Sequence, residues 1–181
     1  ARAQSPRTDG TPGAKANAND AAGDREDDHV PPPLTHYKGR EIARTMHFTG
    51  APWLVRDERE REERASEMIA ALGVKPGQVV CDLGCGNGYH SLMLAELVGK
   101  KGRVLAVDIQ REMLVLLEAR AKEAKVENIK TVLSLPHDPK LEEKSVDLIL
   151  LVDVYHEFSH PEHMLRAMRR AQAARSWSCD Q

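Results

Sequence analysis

Between Gln78 and Val154 short apolar runs alternate with longer segments of helical periodicity. "QVVCDLG" (78–84) is a partly β-branched run ending in glycine, and "YHSLMLAELVG" (89–99) spaces its apolar residues as a helix face does before a glycine stop. "GRVLAVDI" (102–109) predicts a second strand and "REMLVLLEARAKEA" (111–124) a second helix. "NIKTVLSL" (128–135) predicts a third strand. "SVDLILLVDV" (145–154) predicts a fourth, whose nearly unbroken Val, Ile and Leu content suits burial on both faces. Strands separated by helices of this length form βαβ units, so the pattern predicts a doubly wound α/β fold with a parallel sheet and helices on both faces.

Upstream the pattern changes twice. "RDEREREERASEMIAAL" (56–72) predicts one helix, with opposite charges at i, i+4 spacing on a solvated face and Ala65, Met68, Ile69 and Leu72 turned inward. Residues 31–54 hold Tyr37, Phe48 and Trp53 in a chain that is only 4% aromatic, which predicts that this stretch packs on something. Residues 1–30 carry almost no large apolar side chain and cannot offset the entropy of ordering, so a disordered tail is expected there. The organisation expected is therefore a tail (1–30), a lid and helix (31–72), one α/β domain (73–175) and an irregular end (176–181).

With 181 residues, 41% hydrophobic and 30% charged, the chain is sized and composed as one globular domain. No apolar run approaches the roughly 20 residues of a membrane span. A net charge of -2 with interleaved signs gives no basic track for nucleic acid. Three cysteines, Cys81, Cys85 and Cys179, match neither a disulfide framework nor a four-ligand zinc site and favour a reducing, cytoplasmic compartment. The opening "ARAQS" is similar to the small-residue end of a secretory signal peptide and leaves an exported form open.

His156, Glu157 and His160 spell H-E-x-x-H, a zinc-hydrolase signature whose two histidines must share a helix face. Here His156 falls just past the fourth strand, while Ser159 and Glu162 form a capping box that starts a helix near His160, with Pro161 in its first turn. The two histidines then lie on different elements, so no metal is expected and a zinc hydrolase is a remote alternative. Tyr155, His156 and Glu157 remain of interest because they stand at the carboxyl edge of a parallel sheet, where ligands bind in such folds.

"VVCDLGCGNGYH" holds Asp82, Gly84, Gly86 and Gly88 as D-x-G-x-G-x-G at a strand-to-helix turn, where glycines permit a sharp turn and close approach of a ligand. A dinucleotide fingerprint would need its third glycine at position 89, which is Tyr. Asp108 ends the second strand, placed for its carboxylate to accept both hydroxyls of a ribose, with Ile109 beside it to pack on an adenine.

From about Leu72 to Arg170 the chain resembles the class I S-adenosylmethionine-dependent methyltransferases. "VCDLGCGNGYHSLMLA" is similar to their first motif, "GRVLAVDIQREML" to the second and "SVDLILLVDVYHEFSHPEHMLRAMRR" to their fourth-strand region. The resemblance implies a Rossmann-like domain with S-adenosyl-L-methionine as cofactor. It assigns Asp82, Gly84, Cys85, Gly86, Asn87 and Gly88 to the loop around its methionyl part, and Asp108 and Ile109 to the adenosine. Asp138, with His137 as a rival, is the expected partner of the adenine amino group.

The implied reaction is methyl transfer to an acceptor. A general base is optional, since alignment supplies much of the acceleration. His156 is the candidate base, with the alternatives that it orients the cofactor and that its neighbour Tyr155 only packs. "DVYH" replaces the motif of base-amine methyltransferases, and no Pro-Cys nucleophile follows, so a small-molecule acceptor is expected. Thr45 to Trp53, with His47 among them, form the candidate lid. The family continues with a glycine turn and three more strands where this chain has "AQAARSWSCDQ", so an incomplete catalytic domain is expected, and a non-catalytic cofactor-binding module is the alternative.

Overall fold

In the computed structural model, which describes residues 30–173, the aromatic segment upstream of the charged helix is ordered against the α/β domain. It opens with a hairpin of β1 (His36–Tyr37) and β2 (Arg40–Glu41), followed by a 3-10 helix at Phe48–Val55. All but Val30 of the expected tail, and the expected irregular end at 176–181, lie outside the described residues.

The charged segment is two helices instead of the one expected, α1 (Arg59–Glu63) and α2 (Ala65–Ala71). Arg64 between them is left-handed, with φ 51° and ψ 44°. Glu60 supplies the physical reason: its carboxylate accepts from the Ser66 amide (3.2 Å) and hydroxyl, capping α2 from outside the helix where the Arg64 side chain has no acceptor to offer. Ala65 and Ile69 are buried as the pattern predicts, while Met68 and Leu72 are only partly covered.

Four parallel strands follow: β3 (Val79–Leu83), β4 (Arg103–Asp108), β5 (Ile129–Leu133) and β6 (Leu148–Leu150). α3 (Tyr89–Val98) and α4 (Arg111–Glu123) connect the first three, and α5 (Pro161–Ala171) follows the last. The sheet order is β5-β4-β3-β6, so the chain builds outward from β3 and then returns to its other side. Such a reversal opens a crevice at the carboxyl ends of the two strands that flank it, here β3 and β6.

Alternating side chains of the strands feed two faces. Val80 and Val104 pack with Ile69 of α2 and Leu94 and Val98 of α3, and Ala106 packs with Leu114 and Leu117 of α4. Cys81, Leu83 and Val107 point the other way, onto Phe158 and onto Met164 and Met168 of α5. The doubly wound expectation therefore holds, and no described helix is long and apolar enough to cross a membrane.

Two local expectations need correction. The fourth strand is three residues long where ten were expected. Its start is diverted because the Ser145 and Val146 amides bond to Ala171 O and the Asp147 carboxylate accepts the Val79 amide (2.8 Å). Its end is diverted because Asp153 takes a positive φ of 51° and leads into a 3-10 turn at Tyr155–Glu157. The Ser159–Glu162 capping box does not form, because His160 is the N-cap of α5, so Ser159 stands one residue too early. Its hydroxyl lies 3.0 Å from His160 Nδ1, and Glu162 Oε1 accepts instead from Tyr37 (3.4 Å).

Candidate active site

The turn from β3 into α3 is stitched to the end of β4. The amides of Gly84 and Cys85 donate to Val107 O (2.8 and 3.0 Å), and the Gly86 amide donates to Asp108 Oδ2 (2.9 Å). Gly84 and Gly86 take φ of 76° and 53°, a region costly for residues with a side chain. A Cβ at Gly84 would stand 2.3 Å from Val154 Cγ2, and one at Gly86 would stand 2.8 Å from Leu54 Cδ1. The glycines thus admit the chain's own side chains, which seat both the β6 end and the 3-10 helix on the loop.

Asp108 is buried and lines a cavity of about 790 Å³. Its Oδ1 accepts the Gln110 amide (2.8 Å), so each oxygen holds one backbone N-H and keeps capacity for another bond. Burial pushes its carboxyl upward, opposed by the Gln110, Gly86 and Ile109 amides. Ile109 is 43% exposed on the same rim. Gly84 to Asn87 form a second wall, and His156 with Glu157 a third. Burial likewise pushes the Glu157 carboxyl upward.

The remaining candidates stand elsewhere. Asp82 lies beneath the loop, 2% exposed, accepting from Ser91 Oγ (2.6 Å); burial pushes its carboxyl up to about 6. Gly88 serves as the N-cap of α3. Asp138 does not line the cavity: it pairs with Lys140 (2.7 Å) in the turn closed by Leu135, and Ser134, Leu135 and Pro136 take its expected place on the wall. His137 faces the His160 ring instead (5.8 Å between centroids). Tyr155 is also outside the lining, with its ring under the Arg40 guanidinium (5.0 Å) and edge-on to Phe158 (5.7 Å). His160 is buried away from the cavity, its Nε2 2.8 Å from Pro31 O, so His156 and His160 share no helix face. Among the described residues no group of three or more His, Cys, Asp or Glu is arranged to hold a metal.

The segment from Ala43 to Leu54 crosses this cavity as a strap tied to three walls. The Ala43 amide donates to His156 O (3.0 Å), Gln110 Nε2 to Met46 O (2.8 Å) and Asn87 Nδ2 to Ala51 O (2.9 Å). Trp53 lines the cavity while remaining 57% exposed, with Arg56 stacked on its ring at 3.8 Å. Two further lining residues escape a reading of the sequence, Arg59 and His90, both 6% exposed. Arg59 sits in a charge run that reads as solvated, and His90 follows the glycine motif with no spacing signal. Burial pushes the His90 imidazole down to about 4, with Arg59 adding to the effect.

Residues 74–176 match the family model of the methyltransferase domain, more than half of the chain, and the chain belongs to that family. It is 32% identical over 105 residues to an uncharacterised 37.1 kDa protein in transposon TN4556 of Streptomyces fradiae, covering 58% of this chain and 30% of that one. A protein-L-isoaspartate O-methyltransferase of Methanococcus aeolicus is 36% identical over 62 residues, 34% of this chain and 29% of its own. A demethylmenaquinone methyltransferase of Oceanobacillus iheyensis is 25% identical over 85 residues, 47% of this chain and 36% of its own. The chain thus spans about a third of the length of these curated relatives. Its fold matches the crystal structure of an S-adenosylmethionine-dependent methyltransferase from Aquifex aeolicus with a TM-score of 0.68 and 26% identity, over 71% of this chain and 69% of that one.

S-adenosylmethionine is the cofactor of this class of domain, and the residues present suit it. Asp108 has bonding capacity left for two hydroxyls, Ile109 and Leu135 offer exposed apolar flanks for a purine, and Gly84 to Asn87 bring backbone to the cavity wall.

Proposed function

We propose that this domain carries out methyl transfer from S-adenosylmethionine to a small-molecule acceptor bound on the His156 side of the cavity. The observation that carries this reading is that one strapped cavity joins the Asp108 and glycine-loop edge to the turn bearing His156 and Glu157. When bound, the cofactor supplies a methyl group on a positively charged sulfur, already activated for displacement.

The chain's own part is alignment and proton handling. Asp108 and Ile109 hold the adenosine end and the glycine loop the methionyl part, which leaves the acceptor to enter beside the Tyr155–Glu157 turn. That turn is held firmly: Arg40 donates to His156 O (2.9 Å) and to Tyr155 O (3.2 Å), and Ala43 donates to His156 O as well. An imidazole nitrogen of His156, on the cavity wall, would take the proton that an acceptor hydroxyl gives up. A cavity of about 790 Å³ crossed by a tethered strap is of a size for a small molecule, which supports such an acceptor over a folded protein. The named relatives span a protein-directed and a quinone-directed enzyme, so the acceptor class is read from this cavity alone.

Formation of S-adenosylhomocysteine should be followed with a panel of hydroxyl, amine and carbon acceptors. With an accepted hydroxyl compound, His156→Ala should lower kcat about 100-fold and leave S-adenosylhomocysteine affinity unchanged. Undiminished kcat would remove His156 from the chemistry, and cofactor binding without turnover of any acceptor would leave a binding module.

A further inference from the structure

The charges on the cavity wall are unevenly matched. Its carboxylates are Glu41, Asp108, Asp153 and Glu157, and its guanidiniums are Arg44 and Arg59. Arg59 is already paired with Glu63 (2.8 Å), which is not on the wall. Glu41, Arg44 and Asp153 are exposed, so water and salt screen them. Asp108 is buried, but each of its oxygens holds a backbone N-H. Glu157 differs from all of these: it is partly covered, and among the described residues no Lys, Arg or His forms an ion pair with it. The groups that act on its carboxyl are the Thr45 hydroxyl, the His156 ring, the Met46 amide and, with like charge, Asp108.

The loop wall carries the same sign. Asn87 Nδ2 donates to Ala51 O (2.9 Å), and because a carbonyl can only accept, this bond fixes which end of the amide is which. The other end, Asn87 Oδ1, has no partner, although Asn87 is 4% exposed. His90 is held neutral near pH 7 by its burial, and its Nε2 is likewise without a partner, so it brings no compensating cation. A buried acceptor without a donor on the loop wall and a half-covered carboxylate without a cation on the Tyr155–Glu157 turn both favour a positively charged occupant. The cofactor changes its charge in the reaction. As the methyl carbon bonds to the acceptor, the electron pair of the carbon–sulfur bond stays on sulfur, and the sulfonium becomes a neutral thioether.

We propose that Glu157 supplies the charge by which this cavity favours the sulfonium over the thioether, so that methyl transfer itself loosens the product. The assignment rests on S-adenosylmethionine as cofactor and is independent of the acceptor. Calorimetry without acceptor should compare S-adenosylmethionine, S-adenosylhomocysteine and sinefungin, whose ammonium stands in place of the sulfonium, on wild-type protein, Glu157→Gln and Glu157→Asp. E157Q should weaken S-adenosylmethionine and sinefungin about 3- to 10-fold and S-adenosylhomocysteine less than about 2-fold, the neutral ligand reporting that the cavity survives. E157D should keep most of the wild-type ratio between charged and neutral ligands, since it keeps the charge and shortens only the arm. Equal losses for all three ligands in both variants would reduce Glu157 to a tie for the strap and overturn the assignment. A ratio unchanged in E157Q would overturn it as well, and so would a ratio lost as fully in E157D as in E157Q, which would point to side-chain shape instead of charge. Binding of none of the three by the wild type would instead overturn the cofactor reading on which it rests.

Discussion

Gly84 and Gly86 share a positive φ, yet they should tolerate alanine unequally. At Gly84 the new methyl meets Val154 at 2.3 and 2.7 Å, and a β-branched side chain whose rotamer is restricted cannot swing aside. At Gly86 it meets only a terminal methyl of Leu54, which can rotate. Gly84→Ala should therefore cost about 3 kcal/mol or more by backbone strain and overpacking together, and Gly86→Ala about 1 to 2. Chemical denaturation of the two variants checks the order.

Asp82 and His90 bracket the loop with opposite pH behaviour. The folded value of Asp82, about 6, lies above its ordinary 3.8, so the folded chain holds this proton more tightly; the contribution is present below about pH 4 and lost as pH rises through 6. His90 has its folded value near 4, below its ordinary 6.5; its contribution is present above 6.5 and lost as pH falls toward 4. Asp82→Asn, which keeps an oxygen for Ser91, should therefore gain on the wild type as pH rises from 4 to 7, and His90→Asn should lose on it over the same range. Thermal melts at several pH values between 4 and 7.5 would show the two differences diverging, and parallel profiles would contradict both placements.

At the scale of elements, the break between α1 and α2 rests on one backbone conformation. Arg64 makes an exposed pair with Glu67, whose energetic weight is small, so the cost of its left-handed backbone dominates. Arg64→Gly should be neutral or stabilising by up to about 1 kcal/mol, while Arg64→Val, β-branched at a positive φ, should destabilise by about 1 to 2. Urea titrations of both variants would read this directly. A loss in the glycine variant as large as in valine would mean that the Arg64 side chain, and not its backbone, holds the two helices. The turn Tyr155–Glu157 is governed differently, because its carbonyls are held from the hairpin side by Arg40 and Ala43, more than a hundred residues earlier.

For the molecule as a whole, the strap couples these elements to the cavity. It touches the Asp108 side through Gln110, the loop through Asn87 and the Tyr155–Glu157 turn through His156. A ligand filling the cavity beneath it should damp the opening of all three at once. S-adenosylhomocysteine at 100 times its Kd should stabilise the fold by about 2.7 kcal/mol. Amide exchange at Ala43, bonded to His156 O, should slow with it, although Ala43 lies outside the expected cofactor motifs. Unchanged exchange there under saturation would mean that the strap opens independently of the cofactor.

What the sequence by itself determined is whatever a contiguous stretch encodes. The strands at 79–83, 103–108 and 129–133 and the helices at 89–98 and 111–123 are legible because periodicity and glycine stops are local signals. The glycine turn and Asp108 are legible because strand, turn and acid follow at near-fixed distances. Tertiary structure alone decided the features that depend on partners far along the chain. β6 is shortened by bonds to Val79 and to the last residue of α5, and the N-cap of α5 is His160, drawn to Pro31, so that the Ser159–Glu162 capping box does not form. Asp138 leaves the cavity because Lys140 and the Leu135 turn take it. Arg59, one charge among many in its helix, becomes a cavity residue only because Leu54 and Tyr89 meet it there. A charged side chain reads as solvated until the fold brings up the groups that bury and partner it, and that meeting is not written in any local pattern.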